Sequence, residues 1–552
     1  MPPLDLLRKP TMSRLAPIIL RRSRRSFSTS FSSYEYPLAT EAPEITKTTA
    51  QEAAARSTAT PSPPRLPDDP FDDAGALSSS EIEARREWKD LRTAVRMTAI
   101  TEQIPPEIPS NFPASELPPP ATLLTTLDNG IRVVSQETYG QVSTIGVVSG
   151  LGSQYENDAN HGVTNLLEAL AFGTTKQYSG QEVTEILQDW GGTRFCNTGR
   201  EQSLHCLDLL RPNVESGMAL LREVMLESQF LPQEVLEAAR ALEYQSLDMP
   251  SELLLTEAVQ AGAFGKQPLG QAHYASPEAL ALLSADKVHD YWQRHVVQNP
   301  YNLVFSGAGV RHERFCEYVE RNFGHLKQSQ EKLELVPSVY QGGESFRHHM
   351  PIDGLVRVAI ALPTGGWTSD ELVPACVMQT LLGGGNSFSA GGPGKGMYSR
   401  LYRMVLNRYP WAESAEAFTS FFQDTGVWGL SGSTYTHKAR EMMQVLAEHV
   451  ARLAIQPVTD EELSRARNML KCNVLTQLES RLVLFEDLGR QVLTYGKREE
   501  MLRTCEKIDN VTAQDLMELA QRSLKAGTPT IAAVGEALDQ VPRQDEVARW
   551  FG

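Results

Sequence analysis

Two stretches of the 552-residue chain carry residue types at spacings that could do chemistry. In the first, 383–396, half of the residues are glycine. Glycine-rich turns cradle phosphate when they end in Gly-Lys-Ser/Thr, or when they join a strand to a helix in a dinucleotide fingerprint. Here Gly394-Lys395-Gly396-Met397 offers no hydroxyl to magnesium, and both flanks have helical spacing, so a nucleotide site is excluded. The second stretch places His161, Asn165 and Glu168 within two turns of one expected helix. Imidazole and carboxylate are zinc-ligand types, and two histidines at i and i+4 would set them on one helical face. No histidine follows His161 at i+3 or i+4, so it reads as a residue at the helix N-terminus. His312-Glu313 and His348-His349 also lack metal-motif spacing. Cys196, Cys206, Cys316, Cys376, Cys472 and Cys505 form no Cys-x-x-Cys pair and read as buried thiols, and there is no Gly-x-Ser-x-Gly. The chain presents no catalytic constellation of its own.

A glycine run is costly to order, at roughly 0.5–1 kcal/mol per glycine relative to alanine, which predicts a mobile loop. Its ends are expected to be fixed. Leu381 and Leu382 close one apolar periodic run, and Met397, Leu401 and Val405 open another.

The elements that must hold these stretches come in two similar series. The folded part is expected from Thr122, with an Asn129-Gly130 turn between strand-like segments and a strand over 142–150. Helices follow over 161–174, 181–190, 213–227, 232–247 and 276–295, and a buried strand over 302–307 closes the series. A second series repeats it: a strand over 355–362, helices over 371–382, 397–407, 438–453, 460–479 and 512–524, and a strand over 528–535. The expected fold class is α+β: two homologous lobes, each a mixed sheet covered by helices, facing each other across a cleft. The division is 122–326 and 346–552, with a hinge over 327–345.

Ahead of the lobes, residues 1–34 carry Arg8, Lys9, Arg14, Arg21, Arg22, Arg24 and Arg25 against the single acid Asp5, followed by a Ser-rich patch. Arg-rich, Ser-rich and acid-poor composition is the signature of a mitochondrial targeting segment, and Arg25-Ser26-Phe27-Ser28 suggests processing after Phe27. Residues 35–121 are rich in Pro and Ser and are expected as a disordered linker, with one short helix over 84–97 behind the Ser80 to Glu83 capping box. The chain is acidic, at −16, and the basic leader accounts for none of that acidity. An acidic body favours basic partners and disfavours nucleic acid. No apolar run approaches membrane-spanning length.

The run Gly391-Gly392-Pro393-Gly394-Lys395-Gly396-Met397-Tyr398-Ser399-Arg400-Leu401 resembles the glycine-rich loop of the mitochondrial processing peptidase alpha subunits, inactive members of the pitrilysin-like metallopeptidases. The resemblance covers about 122–552. It implies that Asn165 and Ala169 occupy the places of the two zinc histidines, with Glu168 at the base position and Glu243 at the downstream ligand position, so the zinc motif is degenerate. It further implies a matrix protein with no cofactor in this chain, paired with a homologous beta subunit that carries the zinc. The substrate would be the basic presequence peptides of imported precursors. Gly383, Gly384, Gly385, Asn386, Ser387, Phe388, Ser389, Ala390, Gly391, Gly392, Pro393, Gly394, Lys395 and Gly396 would touch it. Phe418, Phe421 and Phe422 could receive its apolar face, or they could be core. A structural core protein of respiratory complex III has the same two-lobe plan, and association with that complex remains the alternative.

Overall fold

The computed structural model describes residues 120–551 except 139, 328–335 and 387–396. The leader, most of the linker with its expected helix, and Ser387 through Gly396 lie outside the described residues.

The first lobe opens with an Asn-Gly hairpin, β1 (Thr122–Thr126) and β2 (Arg132–Gln136), in which Gly130 takes φ 87° and Gly130 N donates to Leu127 O. After β3 (Val142–Ser149) come α1 (Val163–Ala169) and α2 (Gly180–Asp189), then β4 (Thr193–Thr198) and β5 (Ser203–Leu210). α3 (Val214–Leu226), α4 (Pro232–Leu247) and α5 (Ser251–Phe264) lead to α6 (Pro277–Leu280), α7 (Ala285–Trp292), β6 (Leu303–Ala308) and α8 (His312–Phe323). The second lobe runs through β7 (Glu344–His348), β8 (Leu355–Thr364), α9 (Leu372–Leu382), β9 (Gly384–Asn386), β10 (Ala412–Phe421) and β11 (Gly426–Tyr435). It closes with α10 (Ala439–Ile455), α11 (Asp460–Gln477), α12 (Arg481–Tyr495), α13 (Met501–Asn510), α14 (Ala513–Ala526), β12 (Thr530–Gly535) and α15 (Gln544–Phe551).

Both sheets have six strands, in the orders β1-β2-β6-β3-β5-β4 and β7-β12-β8-β11-β10-β9. Removing β1 from one and β9 from the other leaves the same five-strand plan. In each, one parallel pair (β2/β6, β7/β12) adjoins an antiparallel run. The lobes therefore differ at their edges: β9, the start of the glycine-rich stretch, covers β10, whereas β4 is an edge strand of the first sheet.

Period-two alternation sends each strand's side chains into two separate cores. From β8, Val356, Val358, Ile360 and Leu362 face the second lobe's own helices, while Ala359 and Ala361 face α5 of the first lobe. From β2, β3 and β6, Val133, Val147 and Phe305 face the first lobe's own helices. Val134, Val148 and Val304 face α12 of the second lobe through Leu484, Phe485, Leu488 and Val492. Each lobe thus lends the other a helix. Burying a side chain such as Leu488 contributes about 1.5–3 kcal/mol, so each exchanged helix is a substantial tie.

The sequence reading missed this exchange. It assigned no helix to α5 or α12 and no separate strands to β4 and β5. Two expected boundaries also need correction. The 276–295 helix is broken, because Ser284 caps a new helix by accepting from Lys287 N. The 161–174 helix stops at Ala169, where the buried Phe172 takes φ 61° and Gly173 N turns back to Leu170 O. The chain ahead of β7 is fastened, with Gln341 N donating to Ala263 O at 2.8 Å and the Tyr340 hydroxyl 3.1 Å from Ala361 O.

Candidate functional site

α1 begins at Gly162, whose left-handed φ of 86° leaves no side chain to cap the helix. Glu156 does that work from outside: its buried carboxylate accepts from Gly162 N at 2.7 Å, from Thr164 N at 2.9 Å and from the Thr164 hydroxyl. A carboxylate at a helix N-terminus also complements the positive end of the helix dipole. His161 Nδ1 lies 3.2 Å from Glu156 Oε2, and that contact raises the imidazole pKa against the lowering effect of burial. His161 thus stands at the helix N-terminus, as its spacing suggested, and is in addition a partner of the capping carboxylate.

The residues expected at metal positions point elsewhere. Asn165 is buried, and its amide oxygen faces Ala275 N at 3.5 Å. Glu168 Oε2 accepts from both Thr198 N at 2.8 Å and the Thr198 hydroxyl at 2.6 Å, tying α1 to the end of β4. Ala169 is exposed at the last position of α1. α4 packs against α1, yet Glu243 on it is exposed, and Glu237 is bonded to Gln233. Among the described residues no three His, Cys, Asp or Glu side chains come together around a metal position. The side chains at these positions do not fit a zinc ion: Asn165 offers an amide turned to the backbone, Ala169 has no donor atom, and the Glu168 carboxylate is committed to Thr198.

Beside this helix lies a buried polar network that the sequence did not single out. Arg200 Nη2 pairs with Glu257 Oε1 at 2.7 Å, and Glu257 Oε2 accepts from His273 N at 2.8 Å. These bonds join the β4–β5 turn, α5 and the chain after it. No motif announces them, since Glu257 is a single carboxylate among Thr256, Ala258 and Val259 with no ligand-type residue at motif spacing.

In the second lobe the glycine-rich stretch is anchored at its base. α9 ends at Gly383, φ 56°, where a Cβ would stand 2.4 Å from that of Ser399. Gly384 N donates to the Ser399 hydroxyl at 3.1 Å, and a Cβ on Gly384 would stand 1.9 Å from Ala415 O. Gly384, Gly385 and Asn386 then pair with Glu416, Ala415 and Ser414. On the exit side Leu401 is buried, and Arg400 grips Glu462 by a two-pronged contact of 3.1 and 2.9 Å. The two ends of the loop are thus held one hydrogen bond apart.

Phe418 and Phe422 pack with α5 as part of the core, whereas the half-buried Phe421 lies tilted against Trp367 at 5.5 Å. Glu413 bonds the Tyr435 hydroxyl, and desolvation of the Glu416 carboxylate raises its pKa. Cys472 is exposed, against the expectation of buried thiols.

The family model described as Insulinase (Peptidase family M16) matches residues 132–276, and the Peptidase M16 inactive domain matches 283–470. The chain is 31% identical to the mitochondrial-processing peptidase subunit alpha of Homo sapiens over 464 residues, covering 79% of this chain and 88% of that one. It is 33% identical to that of Solanum tuberosum over 439 residues, 78% and 85% of the two chains. Among solved structures, a chain of Complex III2 from Candida albicans, Inz-5 bound, aligns with TM-score 0.66 and 19% identity over 78% of this chain and 100% of that one. A protease from Helicobacter pylori aligns with TM-score 0.66 and 17% identity over 75% and 99%.

Proposed function

Because the chain belongs to the alpha-subunit family of the mitochondrial processing peptidases, within the M16 peptidases, we propose that it is the non-catalytic, substrate-recognising half of such a peptidase in the mitochondrial matrix. Its substrates are the basic presequences of imported precursors. Its partner is a homologous beta subunit, which would hold the zinc and supply metal-activated water; no cofactor is assigned to this chain. The observation that carries the reading is α1: Asn165 and Ala169 offer no ligands, and Glu168 is spent on Thr198.

What this chain's residues do is bind and orient. A presequence is too short to hold a helix by itself, so an extended pose costs it little. Such a strand can add to a sheet edge through main-chain hydrogen bonds, and β4 lies at one with Phe195 exposed beside it. The glycine-rich loop, Gly383 through Gly396, is the other candidate contact, and its first residues are fixed by Gly384 N on the Ser399 hydroxyl and by the β9–β10 pairing.

Zinc content and presequence cleavage are measured on the chain alone and after mixing with a homologue carrying His-x-x-Glu-His. No metal and no cleavage alone, with activity on mixing, is the expected result; metal and cleavage by the chain alone overturn it. Deleting residues 387–396 should weaken presequence binding at least tenfold while pairing persists. Loss of pairing would make the loop structural. The Complex III2 likeness supports a second reading, a core protein of respiratory complex III, for which co-purification with cytochromes is the discriminating result.

A further inference from the structure

The elbow between α4 and α5 leaves an apolar face uncovered. Of α4 only Val235 is fully buried, so the helix meets its lobe along one edge. On the other side Leu236, Tyr244 and Leu247 follow one another at helical spacing, and Tyr244 and Leu247 are 77% and 75% exposed. Leu253, at the start of α5, is exposed as well. Arg357 holds the next turn against it, with Nε 2.8 Å from Glu252 Oε1 and Nη2 2.6 Å from Asp353 Oδ2. That fork brings the β7–β8 turn, with the exposed Met350 and Ile352, beside the elbow. Single exposed leucines are ordinary, but a cluster drawn from two helices and a turn marks a docking surface.

The rim of this face is acidic. Glu237, Glu243, Asp248 and Glu252 are exposed along it, against Arg240 as the one cation of α4. Arg357 is already taken by Glu252 and Asp353, and the nearby Glu416 adds negative charge. An occupant that fits is apolar along one side and basic on its flanks.

The chain carries such a segment. Within the helix expected over 84–97, Trp88, Leu91 and Val95 recur at i, i+3 and i+7, and Lys89, Arg92 and Arg96 flank them against Asp90. These residues lie outside the described ones. At 1.5 Å per residue the stripe from Trp88 to Val95 is about 10 Å long, and the α4 face from Leu236 to Leu247 offers about 16 Å. Residues 99–119, rich in proline, can reach about 65 Å at ~3.1 Å each, so the join to β1 does not restrict where the segment lands.

We propose that residues 88–98 dock on this chain's own α4–α5 elbow as an amphipathic helix, with Trp88, Leu91 and Val95 against Leu236, Tyr244 and Leu247 and with Lys89, Arg92 and Arg96 on the acidic rim. A helix this short is marginal in water by itself, so the face is what holds it. Tethering supplies an effective concentration in the millimolar range, so a weak contact suffices. The docking is a contact of the chain with itself and does not rest on the peptidase reading.

The test is hydrogen exchange read by mass spectrometry on the full chain, with a synthetic peptide of residues 84–99 as the undocked reference. Amides of 88–98 should exchange at least tenfold more slowly in the chain than in the peptide. Tyr244→Ser with Leu247→Ser should remove that protection, whereas Leu475→Ser, at an exposed leucine of α11, should leave it intact. Arg92→Glu with Arg96→Glu should weaken it severalfold. The substituted side chains of α4 and α11 are exposed, so the fold survives, and unchanged protection of the β3 amides checks this. Exchange of 88–98 at the peptide rate, or protection that the α4 changes do not touch, overturns the proposal. Protection that grows with protein concentration assigns the face to a second copy, and protection of 240–253 that arises only on mixing with the His-x-x-Glu-His homologue assigns it to that partner; either also overturns it.

Discussion

Glu168 sits where a base would sit, but its neighbours make it a strut. One of its oxygens takes both hydrogen bonds from Thr198, and Thr198 is itself buried at the end of β4. Glu168→Ala would leave a buried N–H and hydroxyl without an acceptor, which costs about 1–3 kcal/mol per orphaned group. The expected outcome is a lower denaturant midpoint with presequence cleavage by the assembled pair unchanged at temperatures where the variant is folded. A loss of cleavage without a loss of stability would assign Glu168 a chemical role. From the sequence, the identities at 165, 168 and 169 were legible because helical spacing is local. The direction of each side chain was not, since Ala275 and Thr198 reach α1 from distant points in the chain.

At the scale of elements, α5 and α12 are what make two lobes into one body. Gly489 lies where α12 comes closest to β3: a Cβ there would stand 2.4 Å from Val148 Cγ2. Gly489→Leu must push the helix off the first sheet, and overpacking of this kind typically costs about 1–3 kcal/mol. Urea unfolding should show that loss, whereas an unchanged midpoint would mean that the helix contact is loose. α5 escaped the sequence reading for the same reason that it matters. A helix buried on most sides is apolar on most sides, so it shows no clean 3.6-residue stripe. β4 escaped because an edge strand with mixed exposure lacks a strict alternation, and β5 because an interior strand buried almost throughout lacks one too.

At the scale of the whole molecule, each sheet keeps one face covered only while the other lobe is folded. Tryptophan fluorescence of Trp292 in the first lobe and Trp428 in the second, both buried, should therefore report one common transition. Two separate midpoints would show that the exchanged helices do not couple the lobes. The same transition should be acid-sensitive. Burial holds His205, His295 and His449 neutral, with pKa values pushed down to about 4. The unfolded chain takes up these protons near pH 6.5, so stability should fall as pH drops from 6.5 towards 4, by at most about 1.4 kcal/mol per unit for each histidine. Glu201 acts in the opposite sense: its raised pKa makes the folded state prefer the proton, so between 7 and 4.5 it adds stability as pH falls. Urea midpoints at pH 7 and 5 should show the net loss, and His449→Gln should reduce it. The sequence by itself determined the two-lobe repeat and the anchored glycine stretch, because periodicity and glycine content are properties of local chain, while the family resemblance is what set Asn165 and Ala169 at the zinc-histidine places. Tertiary structure alone decided the helix exchange, the strut role of Glu168 and the raised pKa of the half-buried Glu201. Each of these depends on contacts between residues far apart in sequence, whose burial no local pattern records.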